Sequence, residues 1–218
     1  MFELDKQLLS LLEIIVFISV VLMHLVRRNS HFVLIYTLQS VAVSGMLLLF
    51  GITEGSDSLV VVALITFLFK VMAGSGFFSE LIRRKKLNVP ASSYLNLPIT
   101  LAIILGLTLL AQSSVFQPII SLFPNEHKFV AFSLAGILIS LFLIINRRGV
   151  FSQLIGILSF ENNLVALGLM TGIEQTLVIE IGILVNILLW IIISGVLVTL
   201  IYSHFGSLDT KEMSKLKG

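Results

Sequence analysis

The sequence contains no cysteine. This absence excludes thiolate-held iron–sulfur clusters, disulfide bonds and cysteine nucleophiles in the chain itself. Histidine is scarce too, and no two of the four histidines lie at metal-ligand spacing. The chain also lacks a phosphate-binding loop, a nucleophile elbow and a nucleic-acid patch. We therefore expect it to hold no metal and no cofactor.

Charged residues are also few. They make up 12% of the 218 residues, against about 25% in globular chains, while 57% of residues are hydrophobic. Mean hydropathy is +1.08. The apolar segments are too long and too many to be core helices of a soluble domain. The composition predicts an all-α, polytopic integral membrane protein.

Seven apolar runs approach the ~20 residues that a membrane-spanning helix needs. They cover residues 8–26, 31–52, 59–82, 99–116, 129–145, 150–170 and 177–202. No proline lies inside any of them. An outer-membrane barrel would instead show shorter, alternating segments.

Basic residues follow every second run. They are Arg27 and Arg28, the "RRKK" at 83–86, Arg147 and Arg148, and Lys211, Lys215 and Lys217. The opposite connections carry mainly acidic residues. Because cytoplasmic loops are enriched in Lys and Arg, this pattern predicts an external N-terminus and a cytoplasmic C-terminus.

Three polar side chains on different predicted spans lie at one depth. Glu161 follows Arg148 by thirteen residues, and Lys70 precedes Arg83 by thirteen on a helix of opposite direction. At 1.5 Å per residue both lie ~20 Å into the membrane, and Gln39 lies at a similar level. Such residues are costly in lipid, so each is a candidate site. They form either a structural ion pair or stations for protons or ions.

Further polar residues extend this belt. Asn162 and Asn163 either orient Glu161, hold water or join helices by hydrogen bonds. Glu180, with Asn186 deeper in the last span, either continues a relay or lies at the interface with its carboxylate in water. Glu13 is expected to be an interfacial or subunit-contacting acid.

Several segments resemble one family, the hydrogenase-4 membrane component E family. The resemblance lies in "RRGVFSQLIGILSFENN" (147–163), "LVIEIGILVN" (177–186), "GSLDTKEMSKLKG" (206–218), "YTLQS" (36–40) and "FLFKV" (67–71). It covers most of the chain, with the same order and spacing. One departure is Asn186, where the family often has an acid, so the last span would rely on Glu180 or on neighbouring subunits.

The last 90 residues also resemble the small K component of respiratory complex I and the C component of Mrp antiporters. The key glutamates of the complex I component do not transfer, since counting places them at Leu158 and near Trp190. Glu161 lies one turn beyond Leu158 on nearly the same helix face. The resemblance therefore suggests a general role and not residue identity.

The resemblance implies a membrane-arm subunit of a complex-I-like hydrogenase or formate hydrogenlyase in a prokaryotic cell (inner) membrane. Such a protein connects the redox module to antiporter-like subunits and contributes to proton or sodium translocation. It is not an enzyme alone, because the Ni-Fe and Fe-S centres belong to partner subunits. An internal repeat of the arginine pairs, Arg27-Arg28 and Arg147-Arg148, lies 120 residues apart and suggests a duplicated three-helix unit. The units are then 1–98 and 128–218, with a linking helix at 99–127, and the second resembles the complex I component.

Other functions stay open at this point. The chain could belong to a respiratory complex I or an Mrp-type cation/proton antiporter. A free-standing transporter would transport as a purified chain, and a structural spacer would tolerate neutralisation of Glu161 and Lys70. The residues do not distinguish protons from sodium.

We expect single cysteines to report the topology without background, because the natural chain has none. A Ser56→Cys variant in the second connection should react with an impermeant thiol reagent added outside intact cells. A Ser214→Cys variant in the basic tail should react only after permeabilisation. The reverse pattern would contradict the orientation predicted from the basic loops.

Overall fold

The computed structural model describes residues 3–84, 92–124 and 126–171, together with Gly195 and Thr199. These residues fold into helices without any strand. In chain order the helices are α1 (Glu3–Leu25), α2 (Asn29–Glu54), α3 (Asp57–Thr66), a π-helical segment (Phe67–Gly74), α4 (Ser75–Arg84), α5 (Leu97–Ala111), α6 (Gln117–Ile120), α7 (His127–Asn146) and α8 (Val150–Met170).

Five helical stretches in the described part are long and apolar enough to cross a membrane. They are Gln7–Leu25, Asn29–Glu54, Asp57–Arg83, His127–Asn146 and Val150–Met170. The prediction of an all-helical fold with several helices fit to span a membrane is confirmed for these residues. The seven spans and the orientation of the termini stay predictions. The predicted last span, at 177–202, lies outside the described residues apart from Gly195 and Thr199.

The predicted fourth span is shorter than its apolar run. Helix α5 has 15 residues and ends at Ala111, so it rises ~22 Å, less than the ~30 Å hydrocarbon core. Asn96 caps its start by accepting a hydrogen bond from Ile99 N at 3.1 Å. A polar turn follows, and the carbonyl of Leu110 accepts from the Ser113 hydroxyl at 2.7 Å. The prediction of a helix to residue 116 is wrong because the serines offer the backbone other partners.

The third span is one apolar helix that widens in its middle. Its π-helical segment runs from Phe67 to Gly74 and contains Lys70. The carbonyl of Lys70 accepts a hydrogen bond from the Ser75 hydroxyl at 3.4 Å, and that hydroxyl also lies 2.6 Å from Thr37 Oγ1 of α2. Since π turns are rare and concentrate at functional sites, the segment is a candidate functional region, and Lys70 is its one charged residue.

Helices from both halves of the chain share one core. Its largest cluster includes Val16 of α1, Met46 of α2, Ala135 of α7 and Ala166 of α8. Small residues allow close approach, since a Cβ at Gly156 would lie 3.0 Å from the Ile144 side chain. Lipid does not drive apolar helices together, so such close packing and interhelical hydrogen bonds hold the bundle.

Arg147 fastens the end of α1 to the turn between α7 and α8. Its side chain is buried, and Nη2 donates to the carbonyls of Met23 at 2.5 Å, His24 at 2.9 Å and Val26 at 3.0 Å. These carbonyls belong to the last turn of α1 and the residue after it, where intrahelical donors are missing. Burial lowers the pKa of Arg147 to about 10, so the guanidinium is charged at neutral pH.

The segment before α5 joins the same end of the bundle. The Tyr94 N–H donates to the carbonyl of Asn146 at 2.9 Å, and Arg148 N donates to the Ser92 carbonyl at 3.1 Å. The Arg148 guanidinium lies 4.7 Å from the centre of the Tyr94 ring. The basic turn after α1, the segment before α5 and the α7–α8 turn therefore meet at one end of the bundle, which we call the arginine end.

Replacement of Arg147 by Lys should destabilise the protein although it keeps the charge. The shorter lysine side chain does not bring its ammonium to the position of Nη2, and it has no planar group to stack on Phe32, whose ring centre lies 4.6 Å from Arg147 Cζ. We expect a loss of about 2 kcal/mol, measured as a lower melting temperature in mild detergent. Arg28→Lys is the matched control, since Arg28 is exposed at the neighbouring turn. Equal effects of both substitutions would contradict the capping role.

Candidate functional site

Lys70 is the most deeply buried lysine in the described bundle. Its side chain is 0% exposed, and it extends from the π-helical segment toward α8. Nζ donates a hydrogen bond to Asn162 Oδ1 at 2.8 Å and lies 3.8 Å from Glu161 Oε1. The ammonium thus meets a neutral oxygen at hydrogen-bond distance and a carboxylate at the longer distance of an ion pair.

Asn162 connects Lys70 to α2. Its Nδ2 donates to Ser40 Oγ at 3.1 Å and to Gln39 Oε1 at 3.3 Å. The orientation of this amide is fixed chemically, because the opposite one would place its NH₂ group against the ammonium. Gln39 Nε2 in turn donates to the Val16 carbonyl of α1 at 3.2 Å. The network therefore joins α1, α2, the π-helical segment and α8.

Glu161 forms the outer end of this network. Its side chain is 12% exposed, and neither carboxylate oxygen has a hydrogen-bond partner in the part of the chain that the structure describes. Leu164, one turn further along α8, is 44% exposed. Both carboxylate oxygens are themselves buried, so the exposed part of the Glu161 side chain is its hydrocarbon and not its carboxylate.

The structure brings together four of the predicted site residues, which are Lys70, Glu161, Gln39 and Asn162. The other two, Glu180 and Asn186, lie outside the described residues. Depth alone grouped three of the four, because residue counts from the basic ends fix height in the membrane. Asn162 was predicted only because it follows Glu161 in the sequence.

The two adjacent asparagines have different surroundings. Asn163 lies outside the network; its Nδ2 donates to the Ser159 carbonyl of its own helix at 2.8 Å. Its other amide atom, Oδ1, rests against Gly136 of α7, where any Cβ would overlap it. Consecutive helical residues point about 100° apart, so one packs toward α2 and the other toward α7.

Glu13 is a buried acid that the sequence did not place correctly. It was expected at an interface, but it is 1% exposed and accepts a hydrogen bond from Ser133 Oγ at 2.6 Å. Its second oxygen has no partner among the described residues. Val16, whose carbonyl binds Gln39, lies one turn away on the same face of α1. The exposed residues of α1, such as Leu11 and Ile18, lie on another face.

The site's chemistry is that of protonatable groups joined by hydrogen-bonding amides and hydroxyls. No cluster of three or more His, Asp or Glu residues suited to a metal ion occurs within residues 3–84, 92–124 and 126–171. A carboxylate and an ammonium with amide connectors can hold or exchange a proton, or hold helices in register.

No family model, curated protein or solved structure matches the chain.

We expect Lys70→Met to destabilise the purified chain by about 3 kcal/mol, because it leaves Glu161 without its counter-charge. The double variant Lys70→Met/Glu161→Gln should regain at least half of the lost melting temperature, since it removes both charges. Arg83→Met, which breaks the exposed pair Glu80–Arg83 of 2.6 Å, should change the melting temperature little. Additive losses in the double variant would contradict a coupled pair.

Proposed function

We propose that this chain is a membrane-arm subunit of a complex-I-like hydrogenase or formate hydrogenlyase complex. In this role it connects the redox module to antiporter-like subunits and contributes to proton or sodium translocation. The observation that carries the proposal is the buried pair of Lys70 and Glu161, held at 3.8 Å inside a network that crosses the bundle.

The geometry of the pair favours a proton-exchanging role over that of a structural ion pair. A structural ion pair in a dry interior is stabilising only when its remaining oxygens are hydrogen-bonded. Glu161 has no such bonds to the described residues, whereas Lys70 is held by Asn162. Burial disfavours a charge on either group, and the opposite charge favours it. The balance of these effects is sensitive to small changes in distance, as a proton-exchanging group requires.

The π-helical segment supplies a means of changing that distance. A wide turn can return to α-helical hydrogen bonding over a few residues, which rotates the side chains within it. Lys70 would then move relative to Asn162 and Glu161, whose helix α8 has no such segment. The Ser75 hydroxyl, shared between the Lys70 carbonyl and Thr37, would hold the present arrangement.

The course of the network supports a lateral path. It begins at Glu161, passes through Lys70, Asn162 and Gln39, and reaches the Val16 carbonyl of α1. Glu13, a second buried acid, lies one turn from Val16. A path parallel to the membrane is what a subunit between two charge-translocating neighbours would need.

Catalysis would take place outside this chain. A cysteine-free sequence has no thiolates for iron–sulfur clusters. The Ni-Fe and Fe-S centres would lie in partner subunits, and the complex would reside in a prokaryotic inner membrane. A subunit of respiratory complex I or of an Mrp-type antiporter would use the same buried groups.

A structural spacer is the competing function, and one observation favours it. Asn162 makes three hydrogen bonds that tie α8 to α2 and to the π-helical segment. Such a cluster could serve helix register alone, as buried polar contacts between membrane helices do. The spacer and the relay differ in whether Glu161 must titrate.

Glu161→Gln tests the relay, because it keeps shape and hydrogen-bonding capacity but removes the titration. In the complex purified with its partners, assembly and electron transfer to artificial acceptors should be unchanged. Proton or sodium uptake into sealed vesicles should fall about tenfold or more. Adding Lys70→Met should not impose a full second loss, since both residues act as a unit.

Glu80→Gln is the matched control, because Glu80 forms an exposed ion pair with Arg83. It should leave translocation at the parental rate. If the Glu161→Gln complex assembles and also translocates at the parental rate, the network is structural and the relay is wrong. Recovery of the natural chain as an active monomer without partners would contradict the subunit role.

A further inference from the structure

A cavity of about 330 Å³ opens at the arginine end, between the end of α1 and the start of α5. Arg27 and Arg147 contribute its cationic wall, and Ser92, Asn96 and Thr100 contribute polar groups. No acidic residue is among the described residues that line it. The described lining therefore carries positive charge at an end of the apolar helices, the height at which lipid headgroups are expected.

The two arginines make different contributions to this potential. Arg147 is fixed in the wall by its bonds to the α1 carbonyls and remains charged at neutral pH. Arg27 is exposed at the cavity rim, on the turn after α1. The first supplies a permanent field, and the second supplies a side chain that can close over an anion.

Two apolar stripes begin at this cavity. One descends α1 from Leu25, a lining residue, through the exposed side chains of Leu22 and Ile18. The other descends α5 from Leu97, also a lining residue, through Leu101 and Leu105. A molecule with an anionic head and two hydrocarbon chains matches a cationic cavity from which two apolar stripes run into the membrane.

The surroundings of His24 indicate which kind of anionic headgroup would fit the cavity. His24 is 6% exposed and stacked on Phe142, with 5.0 Å between the ring centres. Its Nε2 lies 3.2 Å from the Ile139 carbonyl, so in the neutral ring Nε2 carries the proton and Nδ1 is an acceptor. Nδ1 has no hydrogen-bond partner among the described residues, although His24 lines the cavity. A headgroup hydroxyl would complement it.

We propose that this cavity is a binding site for an anionic phospholipid with a hydroxylated headgroup, of the phosphatidylglycerol class. The phosphate lies between Arg27 and Arg147, a glycerol hydroxyl faces His24, and the acyl chains follow the stripes that begin at Leu25 and Leu97. This inference is independent of the proposed function, because none of these residues belongs to the Lys70 network.

The test measures lipid binding to the purified full-length chain in mild detergent by native mass spectrometry and by melting temperature. Phosphatidylglycerol should bind at least about fivefold more tightly than phosphatidylcholine, and Arg27→Gln should reduce that affinity about fivefold. Arg28→Gln is the matched control, because Arg28 is adjacent and exposed but does not line the cavity. It should change the affinity less than about twofold.

A second variant separates a loss of lipid binding from a loss of folding. Ser92→Asp places a negative charge in the cavity wall and should weaken phosphatidylglycerol binding while the lipid-free melting temperature stays unchanged. Equal losses for Arg27→Gln and Arg28→Gln would show a diffuse surface effect and overturn the site. Equal binding of phosphatidylcholine would also overturn it. Competition by millimolar inorganic phosphate as effective as that of the lipid would indicate a free-anion site instead.

Discussion

Burying a lysine ammonium away from solvent is costly, and in a membrane helix the groups that offset this cost must come from neighbouring helices. In this chain Lys70 finds it in α8, through Asn162 at 2.8 Å and Glu161 at 3.8 Å. Asn162 can accept from the ammonium only with its NH₂ group turned toward Ser40 and Gln39 of α2. The rotations of α2, α8 and the π-helical segment are therefore tied to one buried charge, and a change at any of them reaches the others.

A second polar contact holds the helices together at the arginine end, where the charged group is a guanidinium and not an ammonium. Arg147 binds carbonyls at the end of α1 and thereby joins the first helix to the α7–α8 turn. Between the two polar contacts the helices meet through apolar side chains and glycines such as Gly136 and Gly156. Because lipid supplies no hydrophobic force between helices, the polar contacts select one arrangement among many similar packings.

The two cationic regions would serve separate purposes. The Lys70 network lies inside the bundle and leads sideways, toward a neighbouring subunit and the ions that we propose it moves. The cavity near Arg27 lies at the arginine end, where we propose that it binds a lipid headgroup. Fixing the headgroup-level end of α1 while the middle of the third span stays adjustable would let Lys70 move without loosening the whole bundle.

By itself the sequence determined the length, apolar character and depth of the elements. Each helical residue rises about 1.5 Å, so counting residues from the arginines at the ends of the apolar runs gave a depth for each side chain. This count placed Lys70, Glu161 and Gln39 at one level. It did not determine rotation about each helix axis, because lipid-facing and buried faces are equally apolar. Only the tertiary structure placed Glu13 inside, separated Asn162 from Asn163 and buried Arg147. The π-helical segment likewise contains no proline or other sequence signal. The contacts made at and beside it, from Lys70 to α8 and from Ser75 to α2, involve helices distant in sequence.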